Sequence, residues 1–311
     1  MALFAFLVLS HTYCSKAHAA TPPLDVKPAN ILDREIIIAV IDTGIDIHHH
    51  ALKTNLWKNI GEIGIDANGH DKATNNIDDD NNGYIDDTNG WNFAGNNNDV
   101  SDSIGHGTHI SGIIAGKSSP RAPATDFSRI KIMTLKYFDK NITDTESIYN
   151  TVNAVKYAIR MGATVINYSS SGAIKSKQEE NIIKEAAAKG ILFITAAGNS
   201  GMNLDKYDYY PANYKSPNII SVSSIDSNLQ RLPSSNFGKH AIPAPGKSIY
   251  STLPNGQYGP MTGTSQATAF VSGKVADLLL TTKFSTNYFT DEIKASVRQE
   301  FTKVSPRLTV N

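Results

Sequence analysis

The sequence predicts one α/β domain, a mostly parallel central sheet carrying helices on both faces. Three observations carry that expectation. Continuous apolar runs of strand length recur, such as residues 35–41 and 191–195, and these suit strands buried on both faces. Helix-length segments separate the runs, so successive strands need crossover connections and pair in parallel. The 311 residues, 40% hydrophobic and 19% charged, suffice for one large core without a second domain. Lys and Arg number 29 and Asp and Glu 29, so the overall charge favours neither nucleic acid nor an anionic membrane as partner.

The elements follow in chain order. Residues 1–19 read as a signal peptide, with an apolar core from Ala2 to Leu9 and a small-x-small cleavage pattern at Ala17-His18-Ala19. The apolar run is far short of the roughly 20 residues that span a bilayer, so no stable membrane anchor is expected and the protein should be secreted or periplasmic. The single cysteine, Cys14, falls in this segment, which leaves the mature chain to draw stability from its core or from bound ions. Residues 20–34 form a Pro-containing linker, too short for a folded prodomain, and residues 35–311 the domain. Its first strand, Glu35 to Ile41, runs into Asp42-Thr43-Gly44, placing a carboxylate at a strand's carboxyl end, where open α/β sheets bind ligands. Alone, that tripeptide also fits an ordinary strand-end turn.

Residues 66–102 form an insert of nine Asp and ten Asn against one Lys, a charge near minus eight. Within it Asp78, Asp80 and Asn82 alternate before Gly83, the Tyr84 carbonyl and Asp86, as in the first part of a calcium loop. Asn89 stands at the twelfth position, where a bidentate Glu would complete that pattern, so the match is partial. A solvated acidic loop is the alternative, but carboxylates packed this densely repel one another without a cation, and structural calcium is expected. The segment 66–71 offers a weaker second oxygen cluster.

Gly105-His106-Gly107-Thr108-His109 then opens a helix of small residues, and the flanking glycines let backbone and substrate approach the imidazole. His106 and His109 lack the intervening Glu and third ligand of a zinc site, so His109 is read as structural. A strand at 130–135, a helix at 145–161, a strand at 164–168, a helix at 177–189 and strands at 191–195 and 219–222 follow. Ala197-Gly198-Asn199 lies at another strand end, where a glycine-flanked amide can point N–H into a cleft.

Gly263-Thr264-Ser265 hands over to a helix from Gln266 to Leu280, presenting a serine where unpaired N–H groups can stabilise an anion. Taken alone it reads as a helix cap. Together, Asp42, His106 and Ser265 supply the parts of acyl transfer: a nucleophile, a base to take its proton, and a carboxylate to orient the base.

These blocks, in the order Asp, His, Ser, make the chain from about Ile36 to Lys294 resemble the subtilisin-like serine proteases, the subtilases. The resemblance implies that Asp42, His106 and Ser265 form a catalytic triad and that Asn199 with the Ser265 backbone N–H forms the oxyanion hole. It implies that Ser169, Ser170, Ser171 and Gly172 bind substrate. It further implies that the insert, with Asn82-Gly83-Tyr84 and Gly90-Trp91-Asn92-Phe93, is a calcium-binding insert of one subtilase group, and that segments 234–238 and 244–246 precede the nucleophile. The expected function is a secreted serine endopeptidase acting on proteins or peptides, with no organic cofactor. Gln266, Ala269, Phe270 and Ser171 depart from the residues usual in the family. They sustain one rival, a catalytically silent subtilase fold serving as a calcium-stabilised binding or regulatory protein.

Overall fold

The computed structural model describes residues 35–117 and 127–281, with positions 295, 296 and 299. The predicted signal peptide and linker lie outside the described residues, as does most of the predicted domain beyond 281. In chain order the elements are β1 (Ile36–Asp42), β2 (Gly90–Asn92), α1 (His106–Ile114), β3 (Ile130–Lys136), α2 (Asp144–Arg160), β4 (Val165–Tyr168), α3 (Lys177–Ala188) and β5 (Leu192–Ala196). Strands β6 (Ile219–Ile225), β7 (Ile242–Pro245), β8 (Ile249–Leu253) and β9 (Gln257–Met261) and helix α4 (Thr264–Thr281) follow among the described residues.

Seven strands form one sheet in the order β2-β3-β1-β4-β5-β6-β7, every pairing parallel. β8 and β9 make a separate antiparallel hairpin. The run Ile36 to Ile41 is apolar throughout because both faces of β1 are covered. Ile36, Ile38 and Val40 pack in one core with Ile110 of α1 and Val271 and Val275 of α4. Ala39 and Ile41 pack in the other with Val152 and Val155 of α2 and Ile182 and Ile183 of α3. Each fully buried side chain of this size contributes about 1.5–3 kcal/mol relative to exposure, so the two cores fix the sheet between its helices.

The predicted strands and helices agree with the observed ones to within a few residues. Strands β2, β7, β8 and β9 were not among them. β2 has three residues and lies inside the acidic insert. The β8–β9 hairpin turns through Pro254 to Gly256, with Asn255 at φ +63° and Gly256 at φ +69°, conformations that Asn and Gly tolerate.

This topology makes a crevice. β1 sits between β3 and β4, so the chain leaves its carboxyl end toward one side of the sheet and later returns on the other. Loops therefore part above β1, the position where parallel sheets bind ligands.

Candidate active site

Asp42 closes β1 and is 3% exposed. Its Oδ1 accepts the Thr43 N–H at 2.8 Å and the His106 Nδ1–H at 2.7 Å. A carboxylate only accepts, so the Nδ1 proton is fixed between them and Nε2 keeps its lone pair for a substrate-side proton. Gly107 makes the approach possible: a Cβ there would lie 2.1 Å from the Gly44 carbonyl oxygen and 3.2 Å from the Asp42 side chain. Burial alone would lower the His106 pKa, but the Asp42 charge and hydrogen bond, with the Asp102 charge, outweigh it and hold the imidazolium above the ordinary histidine value.

Asp102 is the residue here that sequence reading missed. Buried at 7% exposure, its Oδ1 accepts from Thr43 Oγ1 and from the Ile104 and Gly105 N–H groups, and its Oδ2 from Thr108 N–H and Oγ1, at 2.7–3.0 Å. One carboxylate thus caps the start of α1 and ties it to the residue after Asp42, locking the His106 ring against its partner. His109 meets its structural expectation: fully buried, its Nε2 lies 3.1 Å from the Gly259 carbonyl oxygen.

Ser265 is the second residue of α4. Its hydroxyl donates to the Ser169 carbonyl at 2.9 Å, and the Ser169 hydroxyl donates to the Ser265 carbonyl at 3.1 Å. A hydroxyl has one proton, so here Ser265 is turned to Ser169, and rotation about its Cα–Cβ bond redirects it; such bonds commonly tighten only with substrate in place. Asn199 Oδ1 accepts from the Thr264 N–H at 2.9 Å and from Thr264 Oγ1 at 3.1 Å. With the oxygen held, Nδ2 is the remaining donor group of a side chain that lines the cleft with Ser265. Gly198, at φ +105°, turns the chain into this position, and Asn236 braces the loop, accepting from Ser200 and Met202 N–H and donating to the Ala197 carbonyl.

Ser169, Ser170, Ser171, Asn199, Tyr209 and Ser265 line one cleft of about 230 Å³. Among the predicted substrate-binding residues the structure separates the roles. Ser171 faces this cleft, the Ser170 carbonyl already accepts from Thr195 Oγ1, and Gly172 pairs its N–H and carbonyl with Tyr210 at 2.8 and 2.7 Å. Gly172 therefore braces the cleft wall through its pairing with Tyr210. Phe270 is 39% exposed and lines a surface hollow with Ile113 and Tyr250, while Ala269 is fully buried. The unusual residue Phe270 thus lies on the outer face of α4.

The acidic insert brings together a different oxygen set from the predicted one. Oxygens of Glu62, Asp78 and Asp80 lie within 4.8 Å of one another. Asn82 is engaged elsewhere, its Nδ2 donating to Asp80 and Asp87 and its Oδ1 accepting the Tyr84 N–H. The Asp86 carboxylate accepts the Asn76 N–H instead of joining the three. In the weaker 66–71 cluster, Asp66 accepts the Asn68 and His70 N–H groups and Asp71 caps a short turn, so both serve the local backbone. Glu62 is fully buried and its Oε2 has no hydrogen-bond partner. A buried carboxylate with one unpartnered oxygen, close to two more carboxylates, fits a hard cation.

A sequence model of the Subtilase family, Peptidase_S8, matches residues 33–305. The chain is 30% identical over 246 residues to the Major intracellular serine protease of Bacillus subtilis (strain 168), covering 78% of this chain and 68% of that one. It is 32% identical over 218 residues to Thermitase of Thermoactinomyces vulgaris, covering 70% and 74% respectively. A cold adapted subtilisin-like serine proteinase of solved structure shares the fold, with a TM-score of 0.63 at 24% identity over 87% of this chain and 84% of that one. With two buried cores around a parallel sheet and the Asp, His and Ser blocks at one edge of it, the chain belongs to the subtilase family of serine-type hydrolases.

Proposed function

We propose that this protein is a secreted serine endopeptidase in which Ser265 is the nucleophile, His106 the general base and acid, Asp42 the orienting carboxylate and Asn199 an oxyanion donor. The observation that carries the reading is the 2.7 Å bond from His106 Nδ1–H to Asp42 at the carboxyl end of β1, the sheet edge that also carries the cleft shared by Ser265 and Asn199. In the first half-reaction the Ser265 proton passes to His106 Nε2 as Oγ bonds the scissile carbonyl carbon. The new oxyanion takes hydrogen bonds from Asn199 Nδ2 and the Ser265 N–H. Collapse expels the amine, which takes the proton from His106, and leaves an acyl ester on Ser265. Water, deprotonated by the same Nε2, then cleaves the ester and returns the proton to Oγ.

Protein or peptide chains are the substrates in this reading. The polar wall of Ser169, Ser170 and Ser171 presents hydroxyl and main-chain groups suited to an extended peptide. A structural calcium ion in the acidic insert belongs to the same reading, and export through the signal peptide at 1–19 places the enzyme outside the cytoplasm. The silent-fold alternative has no specific observation in its favour, since His106 is paired with Asp42 and the Ser265 hydroxyl needs only a rotation about Cα–Cβ to leave the Ser169 carbonyl.

Two predictions test the reading. Hydrolysis of unfolded casein should fall as pH drops through the His106 pKa, because only neutral Nε2 can accept the Ser265 proton. With that pKa raised, the acid limb of kcat/KM should have its midpoint above the ordinary value of about 6.5. A flat profile from about pH 5 to 8, or no hydrolysis at any pH, contradicts the proposal. Asn199→Leu removes the side-chain donor and should lower kcat about 10²–10³-fold with KM little changed. A loss confined to KM would mean that Asn199 binds the ground state only.

A further inference from the structure

We infer that Glu179, buried in the wall of a hollow that adjoins the active-site cleft, selects peptides carrying a lysine or arginine at one position on the amino-terminal side of the scissile bond. The inference rests on the proteolytic reading above and names the class of peptide that reading leaves open.

The hollow has a volume of about 340 Å³ and lies among the end of β3, the first turns of α2 and α3, and the segment that follows β4. Ser170, Ser171 and Tyr209 line both it and the cleft that holds Ser265, so the two share a wall. In an extended peptide, side chains on one face recur every second residue. A substrate with one residue in the cleft can therefore place another side chain in the hollow. The leaving amine takes its proton from His106, which lines neither space, so the amino-terminal half of the substrate is the half laid along this wall.

Glu179 lies in the first turn of α3 and is 3% exposed. Its Oε2 accepts from the Tyr214 hydroxyl at 2.8 Å. That hydroxyl has one proton and also lies 3.0 Å from the Ser176 carbonyl, so even this donor is shared. Among the described residues no cation pairs with Glu179, and no Lys, Arg or His lines the hollow. Burial with so little compensation pushes the carboxyl up to about 7. The other ionisable groups nearby supply no positive charge. Tyr137 and Tyr168 are kept protonated by burial, Asp144 lines the hollow from the exposed start of α2, and Asp208 accepts the Tyr210 hydroxyl. Glu180, next on α3, is paired with Lys177 and Lys184. Aromatic faces complete the wall, and Lys175 already sits 5.6 Å from the Tyr210 ring centre. A buried carboxylate among tyrosine rings is a receptor for an ammonium or guanidinium group. An apolar guest would leave that carboxylate unpaired, and an acidic guest would repel it.

The test compares kcat/KM of the full chain for peptides carrying a single Lys, or uncharged norleucine, at each position before the scissile bond in turn. At one position Lys should be favoured about tenfold or more at about pH 8, and the ratio should fall to within about twofold at about pH 6. The sign follows from Glu179. Lys is charged throughout this range, whereas the carboxyl of the free enzyme, which kcat/KM reports, ionises only as pH rises through about 7. His106 titrates alike for both peptides and cancels in the ratio. Glu179→Gln, which keeps the shape and removes the charge, should bring the ratio at about pH 8 to within about twofold of unity, and Glu180→Gln should leave it near the parental value. Lys no better than norleucine at every position, or a preference that persists at about pH 6 or in Glu179→Gln, overturns the inference while proteolysis stands. The pH dependence decides even if the Glu179 variant fails to fold. A parent chain that cleaves no peptide overturns the proteolytic reading instead. The same peptides titrated calorimetrically into the Ser265→Ala chain then decide the hollow: tighter binding of a Lys peptide at about pH 8 supports the inference, and equal binding overturns it.

Discussion

Ser265→Ala should lower kcat on unfolded casein by about 10⁶-fold while the folded chain keeps its Tm within a few degrees. Removing the hydroxyl leaves no atom that can form the acyl ester, so the loss falls on the chemical step. The cleft, Asn199 and the Ser265 N–H remain, and with them a residual advantage of about 10³–10⁴ over water. The hydroxyl makes one bond as donor, to the Ser169 carbonyl, so its structural contribution is about 0.5–1.5 kcal/mol. Stopped-flow and long-incubation assays on the same preparation, with Tm measured alongside, separate the two effects. If the variant retains more than about a hundredth of the parent kcat, Ser265 is not the nucleophile.

Asp42→Asn should lower kcat about 10⁴-fold with the fold intact. The size of the effect comes from the tautomer. The Asp42 carboxylate can only accept, which forces the proton onto His106 Nδ1 and leaves Nε2 free to take the Ser265 proton. An Asn whose NH₂ faces Nδ1 reverses this, making Nδ1 the acceptor and Nε2–H a donor that cannot act as base. The charge that holds the His106 pKa above its ordinary value also disappears, so the remaining activity should show its acid limb shifted downward. An undiminished kcat, or an acid limb at the parental pH, would separate Asp42 from the function of His106.

Most of the framework was legible because its causes are local. The β1 run is apolar at successive positions because both faces of that strand are covered, and the helices 145–161 and 177–189 carried their own periodicity and caps; Thr143 and Glu146 form a reciprocal capping box at the start of α2. Asp42, His106 and Ser265 stood out because acyl transfer demands those residue types, each with small neighbours that allow close approach. What escaped was set by distant partners. β2 is too short to show a period, and it exists because β3 lies beside it. Asp102 was hidden among nine acidic residues of the insert, and its role comes from donors on Thr43 and on the start of α1. Glu62 lay outside the run whose spacing resembled a calcium loop, and only folding brings it to Asp78 and Asp80. Asp86 fitted that spacing, yet its backbone takes φ +52° and its carboxylate turns to Asn76. Local spacing cannot register such a turn.

The central claim, a serine made nucleophilic by His106 and Asp42, is tested most directly by the covalent product. The full chain is treated with a fluorophosphonate, whose phosphorus is attacked by the activated serine oxygen with loss of fluoride, then digested and mapped by mass spectrometry. The account predicts one phosphonate per chain, carried on Ser265, formed faster as pH rises through the His106 pKa, and absent from His106→Ala under the same conditions. An unlabelled chain, or labelling of Ser265 that proceeds equally without His106, would contradict it.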